Sequence, residues 1–513
     1  MMSKSLVLAA LAGFLALSDP AGGQNCTFTA PGAQNAQIID PCPPPAPQAA
    51  KTCTGTRPTG LNEAEWVPGD DPDARLRRIT LDSPNTRCTD GTPAVIYVRP
   101  STAPQNSPDR HRWVITFEGG DTAFDSSGTL TSGMQRRWDA SHSKNGLLDC
   151  IQKMSTDFSD ANYSPPVPGR DGILDIPTDI KVPGIFNPLT SPFSTWNWLF
   201  LNYCSSDHYA GTVGPVDLFD VSFDLAGNTA RQDGVRVYYE GHNIVEAALQ
   251  EVKQVGFKDL DSGGEIWMEG LETATTILVA GTSAGSVGVL HNLDYIRFEF
   301  VPADVIGAFG ASHAPRAGVS TDSWFLDINP EDGESDWRVG AETQWEQMVQ
   351  IGAFVDQSCE QSIPSGEEWK CLLLSSAETS LATRHLVRQD MTDPLKVGTG
   401  TPWAGEAVAF GEGIIEDYEA WDGLSAVRYF SPSFGSHDVL FKPEFGSEEM
   451  IACNQLVSPS VQQGPALNYA DLLYDYALDS SGGARVHHDK QITFPYPAIN
   501  VIWKSMTGGD VCN

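Results

Sequence analysis

The first arrangement in this 513-residue chain that could do covalent chemistry is a serine between glycines, Gly281-Thr-Ser283-Ala-Gly285. It follows an apolar, β-branched run, Thr275-Thr-Ile-Leu-Val-Ala280, and precedes a helical pattern from Val287 to about Phe298. A serine at the tip of a sharp strand-to-helix turn sits in a strained conformation with its hydroxyl exposed, and small neighbours let the chain double back. The helix N-terminus behind it favours developing negative charge. Ser283 is therefore a candidate nucleophile, and the N–H of Ala284 a candidate donor to an oxyanion.

A serine hydroxyl is a weak nucleophile until a base takes its proton. Six of the ten histidines follow Ser283: His291, His313, His385, His437, His487 and His488. His291 is expected inside the helix after the turn, and His313 comes too early for the order Ser, acid, His. His437 stands in a turn-rich loop, Ser431-Pro-Ser-Phe-Gly-Ser-His437, a suitable place for a base that reaches across a cleft. His487-His488-Asp489 raises a metal site, but adjacent residues on an extended strand face opposite ways, which argues against it. Asp390 follows His385-Leu-Val-Arg-Gln389, a strand pattern ending in a loop, and is the candidate acid, with Asp393 the alternative. A second source of oxyanion donors is Phe117-Glu-Gly-Gly-Asp121, where Gly120 and Asp121 offer backbone N–H groups. Acyl transfer by such a set needs no metal and no organic cofactor.

The elements that must hold these residues are readable as buried runs. Val95-Ile-Tyr-Val98 and Trp113-Val-Ile-Thr-Phe117 read as adjacent strands, and Trp198-Leu-Phe-Leu201, Thr275–Ala280 and Val305-Ile-Gly-Ala-Phe309 as further ones. From Asn243 to Val255, Ile244, Val245, Ala248, Leu249 and Val252 share one helical face, the pattern of a helix covering a sheet. Strands alternating with helices predict an α/β domain with a mostly parallel central sheet flanked by helices.

Composition bounds the rest. Hydrophobic residues make up 41% of the chain, enough for a large core, and 32 Lys+Arg against 66 Asp+Glu leave a net charge of −34. So negative a surface repels nucleic-acid phosphates and anionic membranes, excluding both as expected partners, and its repulsion of an anionic polysaccharide is relieved by salt. Ser5–Leu17 is an apolar run too short to span a bilayer, after Lys4 and before the small residues Ala21 and Gly23, which reads as a secretory signal over 1–23. Residues 24–75 form a Pro-rich, Cys-containing extension, expected as an extended arm, and 76–513 the catalytic domain. All ten cysteines lie beyond the signal, an even count that allows up to five disulfides in an exported chain. A secreted monomer is expected.

Beyond these patterns, the chain resembles the pectin acetylesterase and Notum family of secreted serine carboxylic-ester hydrolases. The resemblance rests on Cys88-Thr-Asp-Gly-Thr-Pro93, Phe117-Glu-Gly-Gly120, Asn202-Tyr-Cys-Ser-Ser-Asp207 with Gly211, and Gly281–Gly285 with Gly288-Val-Leu290, Asn292 and Asp294. It closes with Asp322-Ser-Trp-Phe-Leu-Asp327 and Ser436-His437. It implies a modified α/β-hydrolase fold, a triad of Ser283, Asp390 and His437, and an oxyanion hole of Gly120, Asp121 and Ala284. Where the family has Gly-Gly-Trp followed closely by Cys, this chain has Asp121-Thr-Ala-Phe124. The implied substrate is an O-acyl ester, an O-acetyl group on a cell-wall or extracellular polysaccharide such as pectin. The alternatives are removal of a fatty acyl group from a protein, as in the animal relatives, or a non-catalytic carbohydrate-binding pseudoenzyme whose thirteen tryptophans stack on sugars.

Overall fold

The computed structural model describes residues 38–39, 76–81, 83–89, 91, 93–119, 122–124, 128–133, 173–174, 185, 191–225, 228–254, 270–300, 304–309, 335–372, 380–389, 427–431, 440, 451–452, 467–478 and 486–488. Each run read as a strand is one, with ends shifted by a residue. In chain order the strands are β1 (Ile38–Ile39), β2 (Leu76–Thr80), β3 (Val95–Arg99), β4 (Arg112–Phe117), β5 (Ile173–Leu174), β6 (Asn197–Leu201), β7 (Val213–Leu225) and β8 (Asn228–Tyr239). They continue with β9 (Thr276–Gly281), β10 (Asp304–Phe309), β11 (His385–Arg388), β12 (Val427–Ser431), β13 (Ile451–Ala452), β14 (Leu467–Asn468) and β15 (Val486–His488). Among the described residues the α-helices are α1 (Gly241–Gln254), α2 (Ala284–Tyr295), α3 (Ser335–Gln350), α4 (Gln357–Ser362) and α5 (Tyr469–Leu478).

Ten strands form one sheet in the order β15-β12-β11-β10-β9-β4-β6-β3-β2-β5. The run from β15 to β6 is parallel throughout, and only β3, β2 and β5 join antiparallel. The mostly parallel α/β sheet expected from the sequence is therefore present.

Strand periodicity splits the apolar side chains between two cores. Trp113, Ile115 and Phe117 of β4, Leu199 and Leu201 of β6, and Ile277 and Val279 of β9 face one side. There they meet Ile244, Val245, Ala248, Leu249 and Val252, the five α1 residues predicted to share a face, and Val289, Leu290 and Leu293 of α2. The even-numbered neighbours Val114, Trp198, Phe200, Leu278 and Ala280 pack on the other side against Leu472, Leu473 and Tyr476 of α5. Each fully buried large aliphatic side chain contributes roughly 1.5–3 kcal/mol, so this alternation fixes the register of the central strands.

Between β6 and α1 the chain makes a long hairpin, β7 with β8. Ile38 and Ile39, within the segment expected to be a Pro-rich arm, add to its edge as a parallel strand opposite Gly234 and Val235. Two disulfides are present among the described residues. Cys88–Cys204 ties the turn before β3 to the loop after β6, and Cys359–Cys371 closes the short loop its spacing allows. The other six cysteines lie outside the described residues. Among the described residues no helix is long and apolar enough to cross a membrane.

Candidate active site

The strand β9 delivers the chain to Gly281 at the carboxyl edge of the parallel sheet, and α2 begins at Ala284. The two residues between make the turn, and Ser283 sits there at φ 55°, ψ −126°. A positive φ on a residue with a Cβ costs on the order of 1–3 kcal/mol and persists only where its surroundings impose it. Here they do. Ser283 accepts the Ser286 N–H at 2.9 Å, Gly285 N–H reaches Thr282 O at 2.9 Å, and Ser286 Oγ donates to Gly281 O at 2.9 Å. Helix α2 starts three residues earlier than its apolar pattern predicts, because Ala284-Gly-Ser286 carries no large side chain to mark the first turn. Ala284 is the first helical residue, so its N–H lies outside the intrahelical ladder, as an oxyanion donor requires.

Both glycines of the turn are demanded by close approach. A Cβ at Gly281 would lie 2.3 Å from Gly285 O, and one at Gly285 would lie 2.2 Å from Phe117 O. The second contact brings α2 onto β4, whose Phe117 is paired in register with Gly281. The segment leaving β4 lies beside the serine: a Cβ at Gly119 would be 2.6 Å from Thr282 O and 3.0 Å from Ser283 Cβ.

Of the sequence-derived site residues, Ser283 and Ala284 are placed at one point. Gly120, Asp121, Asp390, its alternative Asp393, His437 and the Asp322–Asp327 motif lie outside the described residues. The described strands that precede three of them end at the serine's edge. Phe309 of β10 pairs with Gly281, Val387 of β11 with Phe309, and Tyr429 of β12 with Val387, all parallel. In open α/β sheets this carboxyl edge is where ligands bind. His291 is in α2 as expected, fully buried, with neither ring nitrogen hydrogen-bonded among the described residues, and burial holds its pKa down at about 3. His385 is buried within β11, also held down, to about 4. His487 and His488 are consecutive on β15, the extended geometry that argued against paired ligation.

Sequence reasoning gave no role to the segment 202–211, which is bonded to Glu118, Thr122 and Ala123. Tyr203 N–H donates to Glu118 Oε2 at 2.9 Å, Ala123 N–H to Ser206 O at 2.8 Å, and Thr122 Oγ1 to Ser206 O at 3.3 Å. Its keystone is Asp207, fully buried, which accepts from Ser205 Oγ (2.5 Å), Tyr209 N (3.0 Å), Gly211 N (3.1 Å) and Gly241 N (2.8 Å). One carboxyl thus pins the entry and the exit of the hairpin. Burial pushes it up to about 6 against the pull of these donors. The only advance sign was the Asn202–Asp207 motif. Trp113, Trp196, Trp198 and Trp369 are buried, so these four are core residues and not sugar platforms.

Glu240, where the hairpin meets α1, accepts the Arg87 N–H at 2.6 Å. Burial above all, with Asp207 adding to it against the pull of Arg87, pushes its carboxyl up to about 7. The native state therefore holds this proton more tightly than the unfolded chain does. That contribution to stability is present below the ordinary carboxyl range and is lost as pH rises through about 7. Glu240→Gln keeps an acceptor for Arg87 without the charge. Relative to wild type it should gain stability on going from about pH 5 to about pH 8, by on the order of 2–3 kcal/mol. Thermal midpoints across the range check this, and a pH-independent difference contradicts it.

A mostly parallel sheet covered by helices on both faces, with a strained serine between its central strand and the following helix, defines the α/β-hydrolase class. Comparison with known proteins narrows it. The family model described as Pectinacetylesterase matches residues 185–398. The palmitoleoyl-protein carboxylesterase Notum of Drosophila melanogaster is 26% identical over 379 residues, 72% of this chain and 46% of that protein. The human Notum is 23% identical over 312 residues, 58% of this chain and 46% of that protein. The chain spans less than half the length of these curated relatives. A solved structure of the Wnt deacylase Notum from Drosophila superposes with a TM-score of 0.51 at 20% identity, covering 81% of this chain and 96% of that one. The chain is thus similar to the pectin acetylesterases over residues 185–398 and to the Notum proteins over more than half its length, the resemblance its motifs carry.

Proposed function

We propose that the protein is a serine carboxylic-ester hydrolase that works by two-step acyl transfer. The observation that carries the reading is Ser283 at φ 55° on the carboxyl edge of β9, with the β4 loop against it. In this scheme His437 takes the proton of Ser283 Oγ as the oxygen attacks the ester carbonyl. The resulting oxyanion is held by the N–H groups of Gly120, Asp121 and Ala284. His437 then gives its proton to the departing alcohol, and water, deprotonated by the same imidazole, releases the acid and restores the serine. Asp390 orients the imidazole and stabilises its charged form. Support for these assignments comes from the family resemblance and from the parallel ends of β4, β11 and β12 at the serine's edge.

The match to the pectinacetylesterase model favours an O-acetyl ester on an extracellular polysaccharide as substrate. The curated relatives, named as palmitoleoyl-protein carboxylesterases, favour a second reading in which a longer acyl group leaves a protein. Secretion fits both, and two disulfides support it, since such bonds persist in oxidising compartments. The deciding experiment is hydrolysis of acetylated pectin, acetylated xylan and nitrophenyl esters from acetate to palmitate by the purified protein, with a serine-directed phosphonate as label. Release of acetate from polysaccharide supports the first reading, and preference for long acyl chains the second. Sugar binding with neither hydrolysis nor labelling of Ser283 would sink both.

A further inference from the structure

The geometry points to Tyr209 as a positioning residue for the reaction, one that holds the β4 loop and the nucleophile's helix in fixed relation; this rests on the esterase reading of Ser283. The starting observation is strain away from the serine. Besides Ser283, the non-glycine residues with positive φ among those described are Ser206 (54°), His208 (56°) and Tyr209 (57°), all in one segment. A run of side-chain-bearing residues in the left-handed region is held there only by surroundings that over-determine it. Asp207 supplies the hold through Ser205 Oγ and the N–H groups of Tyr209, Gly211 and Gly241, and Tyr203 Oη accepts the His208 N–H at 3.0 Å.

What that strain achieves is the placement of one phenol. Tyr209 Oη lies 3.2 Å from Glu118 O and 3.0 Å from Leu201 O, the carbonyls where β4 and β6 end. Its ring packs edge-on to Phe117 at 4.9 Å between centroids, and a Cβ at Gly288 of α2 would lie 2.4 Å from a ring carbon. A single side chain thus touches β4, the first carbonyl beyond it and the helix that follows Ser283. The same Glu118 carbonyl would be 2.6 Å from a Cβ at Gly285, so it is wedged between the phenol and the start of α2. A trans peptide directs its N–H opposite to its C=O. Fixing the Glu118 carbonyl therefore fixes the peptide plane from which Gly119 passes the serine.

Tyr209→Phe keeps the ring and removes only the hydroxyl. If the phenol positions the loop, kcat on a nitrophenyl ester falls between roughly tenfold and a hundredfold, the scale of a small misplacement of oxyanion donors, while KM stays within about twofold. Tyr239→Phe, which deletes a buried hydroxyl at the end of the hairpin that has no hydrogen-bond partner among the described residues, serves as comparator. Unchanged kcat in Tyr209→Phe, a KM rise at constant kcat, or an equal kcat loss in Tyr239→Phe at matched thermal midpoint overturns the inference alone. No hydrolysis and no phosphonate labelling by the wild-type protein overturns the esterase reading, and this inference with it.

Discussion

Ser283→Ala should lower ester hydrolysis by about a millionfold, the order of loss when a serine hydrolase is deprived of its nucleophile, and abolish phosphonate labelling. The turn is held by the Ser286 N–H on the Ser283 carbonyl, the Gly285 N–H on the Thr282 carbonyl and the Ser286 hydroxyl on the Gly281 carbonyl, and the substitution removes none of these bonds. The fold should therefore survive, with a thermal midpoint near that of wild type. Alanine keeps the strain, because the collision at φ 55° is made by Cβ. Ser283→Gly relieves it and should be more stable than Ser283→Ala by about 1 kcal/mol, although equally inactive. This pair separates nucleophile from structural residue. Activity in either variant above a hundredth of wild type would remove Ser283 from the mechanism, and equal stability of the two would remove the strain.

Much of the central sheet was readable because β3, β4, β6 and β9 are short apolar runs whose two faces are both buried. The α1 face was readable for the complementary reason, since five aliphatic residues at helical spacing have only one side to bury. The turn at Ser283 was readable because two glycines flank the serine directly after an apolar run, Gly281 answering to the close approach of Gly285 within the turn itself. Other features had weaker signals. The hairpin alternates visibly in Asp217-Leu-Phe-Asp-Val-Ser-Phe-Asp-Leu225, but nothing local says that it interrupts the passage from β6 to α1. Tyr469, Ala470, Leu472, Leu473 and Tyr476 carry the i, i+3, i+4 spacing of α5, which a longer window would have found. The scaffold behind the serine showed in the sequence only as the Asn202–Asp207 motif, without its contacts. Asp207 meets Gly241 across 34 positions and Tyr203 meets Glu118 across 85, contacts that no spacing rule encodes. Its consequence for function is that the site's rigidity comes from paired backbone groups and the buried Asp207 carboxyl, not from the triad candidates.

Gly285→Ala tests that rigidity with the second large effect. The added methyl carbon would lie 2.2 Å from Phe117 O, 2.6 Å from Glu118 O and 2.7 Å from Phe117 C, all backbone atoms of the central strand and the loop it feeds. No rotamer change can relieve such contacts. Either α2 lifts from β4, opening the core around Val289, Leu290 and Leu293, or the β4 end moves and breaks its bond with the Tyr209 hydroxyl. Overpacking of a well-filled core costs about 1–3 kcal/mol, and backbone on both sides places this site at or above the upper figure. Gly366→Ala is the control. Nothing lies within 4 Å of its Cβ position, and its φ of +94° leaves only conformational strain, about 1 kcal/mol. The expected result is a fall in stability of about 3 kcal/mol or more for Gly285→Ala, against about 1 for Gly366→Ala. Because any relaxation displaces Ser283 from the β4 loop, kcat per folded molecule should also fall about a hundredfold in the first and remain unchanged in the second. Denaturant titration with phosphonate active-site counting makes the comparison. A Gly285→Ala protein with wild-type stability and turnover would mean that the helix does not press on β4 as described, and the argument for a rigid serine turn would fail at its origin.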